Sequence, residues 1–248
     1  MKKISLGLVI LIAAGMKAQT KIIAHRGFWQ SEPATTENSI QSLENAQKLK
    51  IYGSEFDVRM TKDGFLVVNH DEHHGNMIIE QTDLKELEKV KLSNGEDFPL
   101  LKDYLIKGKK SPELKLIVEI KPASSKELEN EIVQKTINMI NTKKLSDQSE
   151  FISFSLNICK EIKKIEPNFK VQYLKGDLSP LEVKNEGLDG IDYHYKIFEK
   201  NPTWISDAKA LGLITNSWTV NDQEIFQKLK FQNIDFVTTN IPDQLKNH

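Results

Sequence analysis

Four short polar sequences lie at the ends of segments that resemble buried β-strands. They are His25-Arg26, Glu55-Phe56-Asp57, His70-Asp71 and Glu119-Ile120-Lys121. Burying an uncompensated charge is costly, so charges at several strand ends indicate that these ends meet at one polar site. The site would hold three carboxylates, those of Glu55, Asp57 and Glu119. It would also hold the two imidazoles and the cations Arg26 and Lys121. Such a set suits a divalent metal, an anionic substrate and proton transfer.

Glu55 and Asp57 form the first carboxylate pair. Residues i and i+2 of a strand face the same side, so both carboxylates point one way and Phe56 points the other. Two close carboxylates repel unless one is protonated or a cation lies between them, and such oxygen ligands suit Ca²⁺ or Mg²⁺. Glu119 and Lys121 repeat the spacing, which predicts a third metal ligand and a phosphate contact. An exposed edge strand with solvated acids is the alternative, and the repeat argues against it.

His25 and His70 are the candidates for proton transfer, because histidine is the side chain best matched to acid–base chemistry near neutral pH. A single histidine at a strand end is more often a hydrogen-bonded structural residue. Two of them on the same face as a carboxylate cluster favour catalysis. His73 and His74 are expected in a solvated loop, and His194, just past a later strand, is ambiguous.

Arg26 is suited to holding a phosphate group, since a guanidinium can donate two parallel hydrogen bonds to it. Gly27 follows and allows the backbone to turn sharply or to approach a ligand closely. Glu37-Asn38 is expected to open the next helix. Glu37 could be a metal ligand, a supporting partner or only an acid in the first helical turn, and we favour a supporting role.

The elements that must position these residues alternate between strand-like and helix-like segments. Strands are expected at 21–26, 53–58, 115–120, 149–154, 169–174, 188–193, 212–219 and 234–238, with an extra extended return at 65–69. Helices are expected at 37–50, 125–142, 156–166, 179–186, 201–211 and 222–231, with helix-start or first-turn signals at Ser206-Asp207 and Asn221-Asp222. Eight alternating strands predict an α/β fold, the (β/α)₈ TIM barrel, whose active sites lie at the C-terminal face.

The stretch from about 73 to 110 is too long for an ordinary loop between a strand and a helix. It contains helix-like segments near 82–90 and 99–107, separated by a turn at Ser93-Asn94-Gly95. It can be interpreted as a small insertion near the C-terminal face or as a plain crossover helix with a ragged loop. The sequence favours neither interpretation.

Length, charge and composition limit the number of domains, the possible partners and the cellular location. The chain has 248 residues and a net charge of −1, which fits one barrel domain and gives no sign of nucleic-acid binding. Residues 1–19 resemble a signal peptide, with Lys2-Lys3 before a short apolar stretch and cleavage near Ala18-Gln19. A periplasmic or secreted domain at 20–248 is therefore expected, without a stable membrane anchor after cleavage. An uncleaved anchor or a buried terminal helix is the alternative interpretation of residues 1–19. The single cysteine, Cys159, excludes an internal disulfide and is expected in the core.

The polar sequences, taken in order, resemble the glycerophosphodiester phosphodiesterases of the bacterial, secreted type. The resemblance rests on His25-Arg26-Gly27, Glu37-Asn38, Glu55-x-Asp57-Val58, Thr61-Lys62-Asp63-Gly64, His70-Asp71, Glu119-Ile120-Lys121, Ser153-Phe154, Trp218-Thr219-Val220-Asn221 and the stretch 235–242. It covers residues 21 to about 245. No single motif is specific, but the ordered combination is.

The resemblance implies a TIM barrel that hydrolyses small glycerophosphodiesters to an alcohol and sn-glycerol 3-phosphate with Ca²⁺ or Mg²⁺. It implies that Glu55, Asp57 and Glu119 bind the metal. By the same resemblance, His25 and His70 form the acid–base pair, and Arg26 and Lys121 bind the phosphate. The 73–110 stretch corresponds to an insertion that is typical of the family.

Two other functions fit the same residues. One is a phospholipase-D-like lyase that acts on a lysophospholipid or sphingolipid and releases a cyclic phosphate. The other is a non-catalytic protein that binds phosphodiesters, although the complete set of acid–base and metal positions argues against it. The preferred headgroup, the metal, the assignment of acid and base, the attacking oxygen and the oligomeric state are left open by the sequence.

Overall fold

A computed structural model describes residues 19–246 of the chain, so the predicted signal peptide lies outside the described residues except for Gln19. The strands are β1 (Lys21–Ala24), β2 (Gly53–Met60), β3 (Leu66–Val68), β4 (His73–His74), β5 (Met77–Ile78), β6 (Lys115–Ile120), β7 (Ser149–Ser153), β8 (Val171–Tyr173), β9 (Gly190–His194), β10 (Ile214–Trp218) and β11 (Phe236–Thr239). The α-helices are α1 (Ile40–Gln47), α2 (Leu84–Leu87), α3 (Leu101–Gly108), α4 (Lys126–Thr142), α5 (Leu156–Ile165), α6 (Pro180–Asn185), α7 (Tyr195–Lys200), α8 (Trp204–Ala210), α9 (Gln223–Phe231) and α10 (Pro242–Leu245).

Eight of the strands close a parallel barrel. Strands β1, β2 and β6 to β11 pair side by side in chain order, and β11 pairs back onto β1. Strand β3 lies antiparallel to the end of β2, as the predicted extended return requires. Each predicted barrel strand overlaps an observed one, which confirms the (β/α)₈ TIM barrel.

Side chains alternate between two cores because successive residues of a strand face opposite sides. Phe56, Val58, Leu116 and Val118 face outward into the main core between barrel and helices. The barrel interior has its own small apolar cluster of buried residues, Ile23, Ile117, Ile152, Leu174 and Phe236. This cluster fills the barrel below the C-terminal strand ends and leaves those ends free for polar side chains.

Two predicted helices have different bounds in the structure. The helix expected at 37–50 begins at Ile40, with Ser39 as its N-cap, so Glu37 and Asn38 precede it. The helix expected at 201–211 is α8, which begins at Trp204 and has Asp207 in its first turn, as the sequence signal indicated. A separate helix that was not predicted, α7, precedes it. Pro202 lies between them, where its missing N–H and its ring prevent α7 from continuing. Asp222 caps α9, as predicted.

The insertion is a small structured unit rather than a plain crossover. It contains the β4–β5 hairpin and helix α2, and its buried side chains form a separate cluster with Val67 of β3; they are Ile79, Leu84, Leu87 and Phe98. Helix α3 packs against α1 and β3 and completes the barrel layer. His74 is buried here, stacked on Phe98 with ring centroids 4.1 Å apart, so the expected solvated loop was wrong for it.

Two further expectations concern the core and the membrane. Cys159 is fully buried and has a free thiol, as expected for a core residue. Between residues 19 and 246, no helix combines the length and apolar character that crossing a bilayer requires.

Candidate active site

Three carboxylates from two adjacent strands meet inside the C-terminal mouth of the barrel. Glu55 and Asp57 of β2 and Glu119 of β6 each offer one oxygen, and these oxygens lie within 4.8 Å of one another. Asp57 and Glu119 are direct neighbours in the strand register. The three residues are 2%, 1% and 7% exposed, so the alternative of solvated acids on an edge strand is wrong.

The charges in this cluster are incompletely balanced. Burial and repulsion from Asp57 raise the pKa of Glu119 to about 7, and burial with both neighbouring carboxylates raises the pKa of Glu55 well above its usual value. Burial opposes ionisation of Asp57, yet Lys121 and other nearby cations lower its pKa. Lys121 Nζ lies 2.7 Å from Glu119 Oε1 and 3.2 Å from Asp57 Oδ1.

The donor set fits a hard divalent cation. All three side chains offer carboxylate oxygens, the ligands that Ca²⁺ and Mg²⁺ prefer. Glu55 Oε2 accepts a hydrogen bond from the backbone N–H of Arg26 at 2.8 Å. Within the described part of the chain, the buried Glu55 Oε1 has no hydrogen-bond partner. A buried carboxyl oxygen without a partner is the atom that a metal ion would satisfy.

The turn after β1 presents Arg26 to this cluster. Arg26 and Gly27 both have positive φ angles, of 54° and 77°. A Cβ atom at Gly27 would come within 2.4 Å of the Ser42 side chain, so only glycine fits there. The Arg26 guanidinium lies over the carboxylates, with Nε 3.8 Å from Asp57 Oδ2.

Glu37 and Asn38 hold this turn and the cluster from outside. Arg26 Nη1 donates to both carboxylate oxygens of Glu37, at 2.9 and 3.0 Å. Asn38 Nδ2 donates to Asp57 Oδ2 at 2.8 Å, and the Asp57 N–H donates to Asn38 Oδ1 at 3.2 Å. Both residues precede α1, so Glu37 is not an acid of its first turn.

Both predicted histidines have one ring nitrogen held by a neighbour. His25 Nδ1 lies 2.7 Å from Asn240 Oδ1, and His70 Nδ1 lies 2.8 Å from Asp71 Oδ1. The acceptor oxygens assign the ring protons to Nδ1 and leave Nε2 available. Burial and the charge of Arg26 lower the pKa of His25 to about 4, so its imidazole is neutral at neutral pH.

Two residues that hold these histidines were missed by sequence analysis. Asn240, just past β11, is 215 positions from His25, and nothing in its local sequence indicates the contact. Arg59 donates from Nε and Nη2 to the backbone carbonyl of His70, at 3.0 and 2.8 Å. The i, i+2 spacing from Asp57 could have placed Arg59 on the same inward face.

A cavity of about 190 Å³ joins these groups. Its charged side is formed by His25, Arg26, Glu55, His70, Glu119 and Lys121. The rest of its lining comes from strands β7 to β11 and the residues that follow them, and it is largely apolar: Ile152, Phe154, Leu174 and Trp218, together with Asp192, Thr219 and Thr238. The Phe154 and Trp218 rings meet edge to face with centroids 5.4 Å apart. His194 meets the Trp218 ring edge to face, with ring centroids 5.2 Å apart, and is not part of the cavity lining.

Comparison with known proteins agrees with this arrangement. Residues 25–244 match the model of the Glycerophosphoryl diester phosphodiesterase family. A glycerophosphodiester phosphodiesterase of Caldanaerobacter subterraneus subsp. tengcongensis is 28% identical over 244 residues, which cover 92% of this chain and 97% of that protein. A solved glycerophosphodiester phosphodiesterase from Parabacteroides distasonis is 40% identical, with a TM-score of 0.91 and coverage of 93% and 97% of the two chains.

A third protein shares the fold at lower identity. It is an Oleispira antarctica phosphodiesterase that was solved in complex with the product sn-glycerol-3-phosphate. It is 24% identical, with a TM-score of 0.81 and coverage of 92% and 96% of the two chains. At this identity the likeness shows the fold alone.

Proposed function

Since this chain belongs to the glycerophosphoryl diester phosphodiesterase family and is a phosphoric diester hydrolase, we propose the following reaction. The protein hydrolyses small glycerophosphodiesters to an alcohol and sn-glycerol 3-phosphate, with a Ca²⁺ or Mg²⁺ ion and two histidines. The Oleispira antarctica phosphodiesterase, whose product complex holds sn-glycerol-3-phosphate, supports the choice of product.

The observation that carries this proposal is the buried carboxylate cluster beside two cations and two histidines in one cavity. Glu55, Asp57 and Glu119 would hold the metal ion through the oxygens that lie within 4.8 Å of one another. A bound divalent ion supplies positive charge for the phosphate and lowers the pKa of an attacking oxygen. Lys121 relieves the repulsion among these carboxylates only in part, and the raised pKa values of Glu55 and Glu119 show the charge that a metal ion would balance.

The chain's own cations would bind and orient the phosphate group. Arg26 reaches the cavity from the β1 turn, and its contact with Glu37 fixes the plane of the guanidinium. Lys121 lies beside Glu119 and reaches the same cavity from the end of β6. We propose that both side chains contact phosphate oxygens, because a cation that is already ordered loses little conformational entropy on binding.

The two histidines would divide the proton transfers. His25 is neutral at neutral pH, and its Nε2 is free to accept a proton from the attacking oxygen. The Asp71 carboxylate holds His70 through Nδ1, and the His70 Nε2 would donate a proton to the leaving alkoxide. The attacking oxygen is that of water, or that of the neighbouring glycerol hydroxyl, which would give a cyclic phosphate that a water molecule must then open to yield sn-glycerol 3-phosphate.

The test is phosphorus NMR of the purified protein with glycerophosphocholine and glycerophosphoethanolamine, in Ca²⁺, in Mg²⁺ and in a chelator. We expect glycerol phosphate to appear only with a metal. We expect His25→Ala to lower turnover about 10²–10⁴-fold, the usual contribution of a general base. A lipid-bearing cyclic phosphate from a lysophospholipid, without glycerophosphodiester turnover, would indicate the lyase instead. Binding of these substrates without turnover would indicate the non-catalytic protein.

We also propose that the protein acts outside the cytoplasm, as a periplasmic or secreted enzyme. The support is the basic and apolar sequence of residues 1–19. Mass spectrometry of the protein recovered from cell fractions tests this. Cleavage near Ala18-Gln19 with recovery outside the cytoplasm is expected, and an intact N-terminus in the cytoplasmic fraction would contradict it.

A further inference from the structure

Asp192 is a buried carboxyl group that the proposed reaction does not use. It lies on β9, which stands across the eight-stranded barrel from β2 and its two metal-cluster acids. The residue is 1% exposed, yet it lines the active-site cavity. Among the described residues, its Oδ1 atom has no hydrogen-bond partner. The cavity therefore contains a buried polar atom whose partner must come from a ligand or from water.

The neighbouring strand fixes how the two Asp192 oxygens are used. Asn216 Oδ1 accepts the Ser217 N–H at 2.8 Å, so the amide nitrogen of Asn216 must face the other way. That nitrogen donates to Asp192 Oδ2 at 3.0 Å and to Thr238 Oγ1 at 3.1 Å. Asp192 Oδ2 is thus an acceptor within the protein, and Oδ1 is the atom left for the cavity.

The surroundings favour a neutral carboxyl group at Asp192. Burial and the nearby charge of Glu119 raise the pKa of Asp192 well above its usual value. With Oδ2 accepting from Asn216, the proton belongs on Oδ1, which then donates a hydrogen bond into the cavity. A neutral donor without a partner suits a neutral acceptor such as a hydroxyl oxygen.

The position of Asp192 indicates which part of a substrate it would meet. The phosphate would lie toward Arg26 and Lys121, on the charged side of the cavity. Asp192 stands on the other side, between the apolar side chains of Leu174 and Trp218. The indole N–H of Trp218 donates to the Asp192 backbone carbonyl at 2.9 Å, which holds this wall in place. An uncharged, hydroxyl-bearing carbon chain matches this wall, and a second anion does not.

We propose that Asp192, through its Oδ1 atom, is a specificity-determining residue that donates a hydrogen bond to a hydroxyl group of the substrate's glycerol moiety. This rests on the proposed hydrolysis of glycerophosphodiesters. A site built to bind a hydroxyl rejects analogues that lack it, because its buried polar group is then left unpaired. Asp192 would in this way distinguish glycerophosphodiesters from other phosphodiesters that the cluster could cleave.

The test measures kcat/KM for glycerophosphoethanolamine and for its two analogues that lack the 1-hydroxyl or the 2-hydroxyl. We expect Asp192→Ala to lower kcat/KM for the parent substrate about tenfold, the loss of one net hydrogen bond. On the analogue without the contacted hydroxyl, variant and wild type should be equal. Asp192→Asn should stay within about threefold of wild type, because its amide accepts and donates in the same directions.

Two further variants serve as a replacement and a control in this test. Asp192→Leu fills the space and replaces Asp192→Ala if that variant does not fold. Gln172→Ala removes another buried polar group of the barrel, from a position outside the cavity lining, and should not discriminate between the substrates. Equal losses on all three substrates in the Asp192 variants, or no loss, would overturn the proposal alone. Absence of turnover in the wild type would contradict both the proposed function and this inference.

Discussion

Replacing Gly27 by alanine should unfold the β1 turn that carries Arg26. The added Cβ would lie 2.4 Å from Ser42 Oγ and 2.7 Å from the Ser42 backbone carbon. The hydroxyl could rotate only by losing its hydrogen bonds to the Arg26 and Ser39 carbonyls. The backbone carbon belongs to α1 and cannot move alone. Relief therefore requires the turn and the helix to separate.

Gly187 provides a matched control for the size of this effect. It has the same φ of 77°, with nothing within 4 Å of an added Cβ. Gly187→Ala should cost about 1–2 kcal/mol for the left-handed backbone, less about 0.4–1 kcal/mol for the restricted unfolded chain. Gly27→Ala adds about 1–3 kcal/mol of overpacking. We therefore expect the free energy of unfolding to fall by about 1 kcal/mol in Gly187→Ala and by about 2–4 kcal/mol in Gly27→Ala.

Urea unfolding of both variants, extrapolated linearly to water, measures these losses. Activity at a saturating metal concentration gives a second readout. Displacement of the turn removes the Arg26 N–H from Glu55 Oε2, so kcat/KM should fall in Gly27→Ala and stay near wild type in Gly187→Ala. Equal stability of the two variants would refute the claim that close packing against Ser42 requires this glycine.

Three further changes test the surroundings of the cluster. Asn38→Ala should weaken divalent-metal affinity about 10–100-fold in calorimetry, because it removes both hydrogen bonds that orient Asp57; unchanged affinity would contradict this. With a chelator present, the raised pKa of Glu119, about 7, lowers the stability of the folded state as pH rises from about 4.5 to 7. The lowered pKa of His25, about 4, increases the stability of the folded state as pH rises from about 4 to 6.5. Urea unfolding of Glu119→Gln should therefore show a steeper gain of stability with pH than wild type, and parallel curves would count against it. Glu96→Ala should cost about 0.5–2 kcal/mol in urea unfolding, because its carboxylate accepts from two backbone N–H groups at the start of α1, and no loss would exclude that cap.

The barrel was predictable because each of its strands carries a local signal. Runs such as Leu116-Ile117-Val118 indicate a buried strand without reference to any other part of the chain. The i, i+2 rule then placed Glu55 with Asp57 on the inward face, and the strand ends brought Glu119 beside them. What failed was the exact start of helices, as at Ile40, where tertiary contacts of the preceding loop decide the boundary.

The groups that hold the catalytic candidates were much harder to predict. Asn240 contacts His25 across almost the whole chain, and Asp192 becomes part of the cavity only because β9 stands opposite β2. Nothing in the sequence beside either residue indicates what it contacts, although Asn240 lies in the stretch 235–242 that contributes to the family resemblance. Such contacts depend on barrel closure, so they appear only once the order and register of the strands are known.

The backbone around Arg26 shows why sequence rules fail where the site is built. Arg26 and Asn38 both adopt left-handed φ angles, of 54° and 58°, although only asparagine tolerates this conformation readily. The Arg26 N–H donates to Glu55 Oε2, and the Asn38 N–H donates to the Arg26 carbonyl at 2.9 Å. These bonds offset the cost of the strained conformation, which aims the guanidinium at the carboxylates. A local propensity would place Arg26 in extended or helical backbone, and the contacts that overrule it come from β2 and from the loop before α1.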